Sequence, residues 1–173
     1  MIKKILMLVL FMAPLSLFAQ KFAHFNSDEI LKVYPAYTTA MTELETMGKK
    51  YETDLQEMQK ELEAKVEKYR REVNDSTPEN IVQRKQQELQ ELDARIRQAY
   101  EDNQKAFQQA RQTKMQPILM KVTEAVNAVV KEGGYIYAID RSNPSTDGLY
   151  LHESLSTDIT KTIMQKLGIS AAR

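Results

Sequence analysis

The side chains of this chain that are best suited to chemistry are its two histidines, His24 and His152, each of which belongs to a predicted strand segment. Nothing in the sequence places either histidine at metal-ligand spacing from carboxylates. Isolated histidines of this kind belong more often to a strand surface or to a hydrogen-bonded core than to a metal site. We therefore predict that neither histidine binds a metal ion.

Two further stretches contain residue types that perform chemistry in some proteins, but their spacing here indicates structural roles. The glycine pair Gly133-Gly134 stands in Lys-Glu-Gly-Gly-Tyr, which lacks the spacing of a phosphate-binding loop and predicts the end of a helix. The serines and threonines between Ser154 and Thr162 have no neighbouring base, so we interpret them as cap and turn residues. We predict no catalytic residue, no cofactor and no metal, and we do not expect an enzyme.

The first nineteen residues have the pattern of a secretory signal peptide. Lys3 and Lys4 precede an apolar run at 5–17, and the small residue Ala19 stands where a signal peptidase would cut. The run is too short and wrongly flanked for a stable membrane anchor, and no cysteine follows it to accept a lipid. We predict a signal peptide at 1–19 and an exported mature chain with no stable membrane anchor and no disulfide bonds.

The charge balance argues against a nucleic-acid partner. The full chain has 24 basic and 24 acidic residues, and removal of Lys3 and Lys4 leaves 22 against 24, a formal charge of −2. Phosphate binding needs a clear basic excess on some face of a protein. Five glycines, five prolines and no tryptophan instead describe a helix-rich chain.

The region between Met41 and Met115 contains two long amphipathic stretches of nearly equal length, joined by a turn sequence at 74–78. In both stretches apolar residues recur every three or four positions, which predicts helices with one narrow apolar stripe each. The stripes are Tyr51, Leu55, Met58, Leu62, Val66, Tyr69 and Val73 in the first, and Leu89, Leu92, Ile96, Tyr100, Phe107 and Ala110 in the second. Because such stripes must pack on each other, we predict an antiparallel helical hairpin about 50 Å long.

Short strand-like segments flank the hairpin on both sides. Lys21–Phe25 precedes it, whereas Tyr135–Asp140 and residues 149–152 follow it, the last segment being predicted as a third strand and a hairpin partner of the second. Proline is predicted to interrupt a first helix at Pro35 and to kink the return helix at Pro117. A final helix over about 158–167 would cover the strands.

These elements predict an α+β fold that is mostly α, in which a small β-containing body carries a coiled-coil arm. We assign residues 20–40 and 116–173 to an oligomerisation body and residues 41–115 to the helical-hairpin arm. So small a sheet exposes both edges and buries little apolar surface, and self-association through the strands would remedy both. The candidates for the shared oligomerisation core are Phe22, Ile136, Ile139 and Leu149.

Several methionine and aromatic residues of the predicted arm are candidate contacts for an apolar client, because such side chains adapt to irregular surfaces. Their helical spacing fits packing between the two helices as well, which is the commoner role for residues in a stripe. The sequence leaves open which of them point away from the seam between the helices. The candidates are Met47, Met58, Tyr69, Phe107 and Met115.

The whole chain, from signal peptide to C-terminus, resembles the Skp/OmpH family of periplasmic chaperones. The resemblance rests on residues 21–26, on Tyr34-Pro35, on the two arms, on Tyr135–Asp140, and on Asp158-Ile159-Thr160 at the start of the last helix. It implies a homotrimer whose β-body carries three hairpin arms that enclose unfolded outer-membrane proteins. It also implies an ATP-independent holdase in the periplasm, where no ATP is supplied.

One departure from the family concerns charge. Known relatives tend to be basic, whereas residues 41–115 hold 14 basic and 16 acidic residues, so we do not extend a lipopolysaccharide site to this chain. Four cations mark a candidate basic strip on the return arm, but an ordinary solvated helix face is the stronger interpretation. The strip would consist of Arg95, Arg97, Arg111 and Lys114.

The alternative function is that of a structural or adaptor coiled coil, which would dock on another envelope protein through the hairpin tip. Adaptors of this kind usually flank their hairpin with further domains, and the flanks of this hairpin are too short for them.

Overall fold

A computed structural model describes residues 21–143, 145, 150–152 and 154–169, so the predicted signal peptide at 1–19 lies outside the described residues. The described residues divide into two compact units, one formed by those up to residue 38 and from residue 117 onward and the other by residues 39–116. We call them the sheet unit and the hairpin unit. Two long helices each contribute residues to both units.

The sheet unit contains a three-stranded sheet. Its strands are β1 (Lys21–Phe25), β2 (Tyr135–Asp140) and β3 (Ser156–Asp158), arranged in the order β2-β1-β3. β1 pairs in parallel with both neighbours. The last three residues of β1 are buried, as expected for a central strand whose two faces are both covered.

The third strand differs from the predicted one. Residues 150–152 lie outside any strand, Tyr150 is 95% exposed, and Leu149 lies outside the described residues. The third strand is β3, which pairs in parallel with β1 and does not form a hairpin with β2. The prediction was wrong because it relied on the strand propensity of residue types. The segment that pairs with β1 is polar, and its Ser156 hydroxyl lies 2.8 Å from Nδ1 of His24.

The first helix, α1 (Ser27–Val33), follows β1 directly. Asn26 caps it, since its Oδ1 accepts a hydrogen bond of 3.1 Å from the backbone N–H of Glu29. Tyr34 then adopts an extended conformation, as the residue before a proline prefers, and α2 (Pro35–Glu72) begins at the next residue. The predicted interruption at Pro35 is confirmed.

The third helix, α3 (Glu79–Gly133), has 55 residues and stays helical through Pro117. Gly134 follows it with a φ of 66°, a left-handed conformation that glycine adopts without strain. The predicted helix end at the glycine pair is therefore confirmed, and β2 begins at the next residue. A last helix, α4 (Thr160–Lys166), packs on α1, and together these elements confirm the mostly helical α+β fold.

Buried apolar side chains of the sheet unit come from several elements. Ile30 on α1 and Ile163 on α4 are completely buried, and Ile159 just before α4 is 2% exposed. One face of α3 adds a row of buried residues at helical spacing, which are Ile118, Val122, Ala125 and Val129. These residues form the apolar core of the sheet unit.

The carboxylate of Asp140, at the end of β2, joins that strand to the start of α1. Its Oδ1 accepts hydrogen bonds from the backbone N–H of Ser27 at 3.1 Å, the backbone N–H of Ser142 at 3.1 Å and the Ser142 hydroxyl at 2.7 Å. Burial alone would raise the pKa of Asp140, but hydrogen bonds from the side chains and backbones of Ser27 and Ser142 outweigh it and lower the pKa below its ordinary value. A carboxyl with a lowered pKa stabilises the fold above its ordinary pKa and loses that contribution as the pH falls through the folded pKa.

Asp140→Asn should lower the free energy of unfolding at pH 7 by about 1 kcal/mol, because an amide oxygen in a partly exposed site accepts weaker hydrogen bonds than a carboxylate. The difference between wild type and variant should shrink as the pH falls well below 3.8, where the wild-type carboxyl becomes protonated. Urea unfolding at several pH values measures this difference. Asp75→Asn, at an exposed position of the hairpin turn, is the control, and a pH-independent deficit for Asp140→Asn would contradict the expectation.

Within the hairpin unit, α2 and α3 run antiparallel on either side of the turn at 73–78. Lys114 pairs with Glu43 and Lys85 pairs with Glu72, with a separation of 2.5 Å in each pair. The step from Glu43 to Glu72 is 29 residues, and the step back from Lys114 to Lys85 is also 29 residues. The two helices therefore keep one register along the unit.

Candidate docking surfaces

The histidine of the sheet, His24, takes part in a buried polar cluster. Besides its contact with Ser156, it is paired in the strand register with Asp158, whose Oδ1 accepts hydrogen bonds from the backbone N–H and the hydroxyl of Thr160 at 2.9 and 2.6 Å. Burial raises the pKa of Asp158, but these hydrogen bonds outweigh it, and the charges of His24 and Arg141 lower the pKa further. Because Ser156 is 9% and His24 8% exposed, a substrate has no access to this pair, and the cluster attaches α4 to the sheet.

The second histidine, His152, is exposed, and its Nδ1 lies 2.9 Å from the Ser154 hydroxyl. Among the residues that the structure describes, no three His, Asp or Glu side chains come close enough together to hold a metal ion. Over the same described ranges, no helix combines the length and the apolar character needed to cross a membrane.

The edge strand β2 presents apolar side chains to solvent. Tyr137 is 63% and Ile136 is 47% exposed, while Phe22 on β1 is 38% exposed. The rings of Phe22 and Tyr137 stack with centroids 6.3 Å apart and planes 10° apart. In the described part of the chain no strand borders β2 on its far side, so this edge is open to a partner strand.

The predicted oligomerisation residues are placed differently from one another. Phe22 and Ile136 are exposed, and Ile136 lies where the register between β1 and β2 shifts. Ile139 is half-buried and pairs in register with His24, whereas Leu149 lies outside the described residues. Their part in assembly stays a prediction.

All five predicted client contacts are half-buried within the hairpin unit. Phe107 faces Gly48, where an added Cβ atom would lie 3.7 Å from the phenylalanine ring. The Tyr69 hydroxyl accepts a hydrogen bond of 2.9 Å from Nε2 of Gln86 on the opposite helix. Part of each of these two side chains is therefore engaged in contacts between the two helices. The other three are Met47, Met58 and Met115, and the client role of the set stays a prediction.

The large apolar side chains that the hairpin unit does expose, within the described residues, are Met41 at 45% and Tyr100 at 53%. Tyr100 was predicted to lie in the apolar stripe of α3, but the half-buried positions of that turn are Ala99 and Asn103. The prediction was wrong because a polar residue, Asn103, occupies a stripe position. Steps of 3 and 4 residues from Ile96 through Ala99 to Asn103 follow the helical period.

The charged side chains of the hairpin unit largely neutralise one another. Within the suggested basic strip, Arg97 pairs with Asp93 at 2.6 Å and Lys114 pairs with Glu43. A cleft of about 340 Å³ near the turn has four cations in its lining, and each of them pairs with a glutamate. The cations are Lys65, Lys68, Arg84 and Lys85. Lys68 and Lys85 share Glu72, so three glutamates pair with the four cations and offset most of their charge.

The turn that joins the helices satisfies its own polar groups. Asn74 Oδ1 accepts a hydrogen bond of 3.0 Å from the backbone N–H of Ser76, and Thr77 Oγ1 accepts one of 3.0 Å from the backbone N–H of Asn74. These side chains shape the tip of the hairpin and are engaged within it.

Comparison with known proteins gives a family and a fold. The family model described as outer membrane protein (OmpH-like) matches residues 21–167. A crystal structure of a candidate outer membrane chaperone (OmpH-like) from Caulobacter crescentus CB15 is similar with a TM-score of 0.69 and 12% identity, covering 86% of this chain and 83% of that chain. At that identity the likeness shows a shared fold. A search among curated proteins gave no significant match.

Proposed function

The chain belongs to the OmpH-like family, and from this membership we propose that it is an ATP-independent holdase chaperone of the periplasm. Its clients would be unfolded outer-membrane proteins, which it would enclose between hairpin arms. The predicted signal peptide at 1–19 would deliver it to the periplasm. Binding without ATP suits that compartment, and release would come from the client folding into the membrane.

The observation that carries this proposal is the helical hairpin with its one continuous register and its mixed-charge surface. Most stripe residues of α2 and α3 are half-buried, few large apolar side chains of the unit are exposed, and ion pairs cover much of the remaining surface. Such a surface can make many weak contacts with a client and no single strong one. Several hairpins held together would add these contacts by avidity while the client stays mobile.

Holding several hairpins together requires assembly, and we propose a homotrimer formed by the sheet unit. The open edge of β2 and its exposed Ile136 and Tyr137 support this, because an apolar edge strand in water is a surface for association. Phe22 lies beside Tyr137 and would join the same interface. Ile139 and Leu149 complete the proposed shared core.

Aggregation of a urea-unfolded outer-membrane barrel after dilution tests the holdase proposal. The mature protein should keep the barrel in solution at stoichiometric amounts without nucleotide, and added ATP should change nothing. A variant that lacks residues 43–114 and joins the flanking helices by a short linker would remove the hairpin and should lose this effect. If the barrel aggregated in the presence of the intact protein as fast as it does alone, the proposed function would be overturned.

A further inference from the structure

Partway along the hairpin unit, a groove of about 330 Å³ opens at the surface between α2 and α3. Three apolar side chains contribute to its lining: Leu55 and Ile96 are half-buried, and Tyr100 is 53% exposed. Its polar lining consists of Gln59, Arg97 and Glu101. We call this feature the Tyr100 groove. It contains one of the two most exposed large apolar side chains of the unit, among the residues described.

The polar groups of the Tyr100 groove differ in how far they are already engaged. Arg97 forms an ion pair with Asp93 at 2.6 Å, and the Tyr100 hydroxyl accepts a hydrogen bond of 2.7 Å from Nε2 of Gln104. The side chains of Gln59 and Glu101, in contrast, make no hydrogen bond or ion pair with another described residue. An amide that both donates and accepts, and a carboxylate that accepts, therefore flank an apolar surface and are not engaged by other side chains of this chain.

We propose that the Tyr100 groove binds one aromatic side chain of an extended segment of an unfolded chain, with Gln59 and Glu101 hydrogen-bonding to the main chain beside it. This rests on the proposed holdase function and assigns a contact site to it. An extended segment suits the groove because its N–H and C=O groups are unpaired and its side chains on one face recur only about every 6.8 Å. An aromatic side chain suits Tyr100 because two rings pack favourably in offset or edge-to-face geometry.

A helical partner fits the Tyr100 groove less well. A helix docks through several apolar anchors at positions i, i+3, i+4 and i+7, which need an apolar strip of matching length. The other strongly exposed large apolar residue described in the hairpin unit is Met41, 14 residues before Leu55 on α2. That separation is about 21 Å along the helix. One isolated apolar patch with polar neighbours therefore favours a single inserted side chain.

The test compares Tyr100→Gln with Met41→Gln, a matched control that removes an apolar side chain of similar exposure elsewhere on the hairpin unit. The probe is a urea-unfolded eight-stranded outer-membrane barrel diluted into buffer with the full mature protein. Tyr100→Gln should weaken binding by about fivefold for each engaged groove, whereas Met41→Gln should change it by less than about twofold. Both variants should keep the wild-type thermal unfolding curve, because both positions are exposed.

A second readout locates the contact. On titration with a strand peptide of the same barrel that contains one central aromatic residue, the methyl NMR signals of Leu55 and Ile96 should shift. The peptide with serine at that position should leave them unchanged. The proposed role of the groove would be overturned by unshifted methyl signals, by equal effects of the two variants, or by an amphipathic helical peptide that binds more tightly than the strand peptide. None of these results would affect the proposal that the protein binds unfolded barrels. Failure of the wild-type protein to bind the unfolded barrel would instead overturn the proposed function.

Discussion

Tyr137→Glu is expected to convert the proposed homotrimer into separate folded chains. Tyr137 is 63% exposed on the edge strand β2, so a carboxylate there stays solvated in one chain and costs the fold little. In the proposed assembly the same side chain would be buried against a second copy, where an unpaired charge costs on the order of several kcal/mol. Light scattering should therefore report the mass of one chain, with an unchanged far-ultraviolet circular dichroism spectrum.

Thr162→Glu is the matched control, because it adds the same charge at an exposed position of α4 in the same unit. It should leave the oligomeric mass unchanged. Ile139→Asp is a weaker test, since Ile139 is half-buried within one chain and its loss would damage folding together with assembly. If Tyr137→Glu retained the wild-type oligomeric mass, β2 would not be the proposed interface.

Shortening the hairpin should reduce protection of large clients more than protection of small ones. Removal of residues 62–72 and 84–94 takes eleven residues from each helix. The register defined by Glu43 and Lys114 survives, because the two deleted segments lie opposite each other along it. Each helix loses about 16 Å of length, so a cage built from several hairpins would enclose less volume. Sixteen-stranded barrels should aggregate more readily with the shortened protein, while eight-stranded barrels should remain protected.

This variant also separates enclosure from docking by the tip. The turn at 73–78 and all six residues that line the Tyr100 groove are retained. Deletion of residues 62–72 alone is the control, since it breaks the register and should lower the stability of the hairpin itself. Equal protection of both barrel sizes by the shortened and full-length proteins would contradict enclosure. Undiminished binding to one folded envelope protein would support an adaptor.

Elements that depend on local chemistry could be predicted from the sequence with correct positions. Asn26 offers a side-chain oxygen at the start of a helix, and Pro35 prevents that helix from continuing. Gly134 supplies the left-handed residue that ends α3, and the β-branched and aromatic residues after it form β2. Each of these signals acts within a few residues, so it can be recognised without knowing which distant segments come into contact.

Pairing between distant segments could not be predicted in the same way. β3 is a three-residue polar strand that has little strand propensity of its own, and it forms because β1 offers an open edge and His24 a hydrogen-bonding partner. The position of Tyr100 was missed for a related reason. Asn103 belongs to the half-buried row of α3. Because it is polar, a search for apolar residues at helical spacing passes over it and assigns Tyr100 to the stripe instead.

The most direct test of the holdase proposal is amide hydrogen exchange of an isotope-labelled eight-stranded barrel bound to the unlabelled mature protein, without nucleotide, before and after lipid vesicles are added. We predict a bound barrel that stays soluble while its amides exchange as in an unfolded chain. Protection should appear only after vesicles allow the barrel to fold. Amides that are already protected in the complex, or a barrel that leaves the complex only when ATP is supplied, would contradict the account.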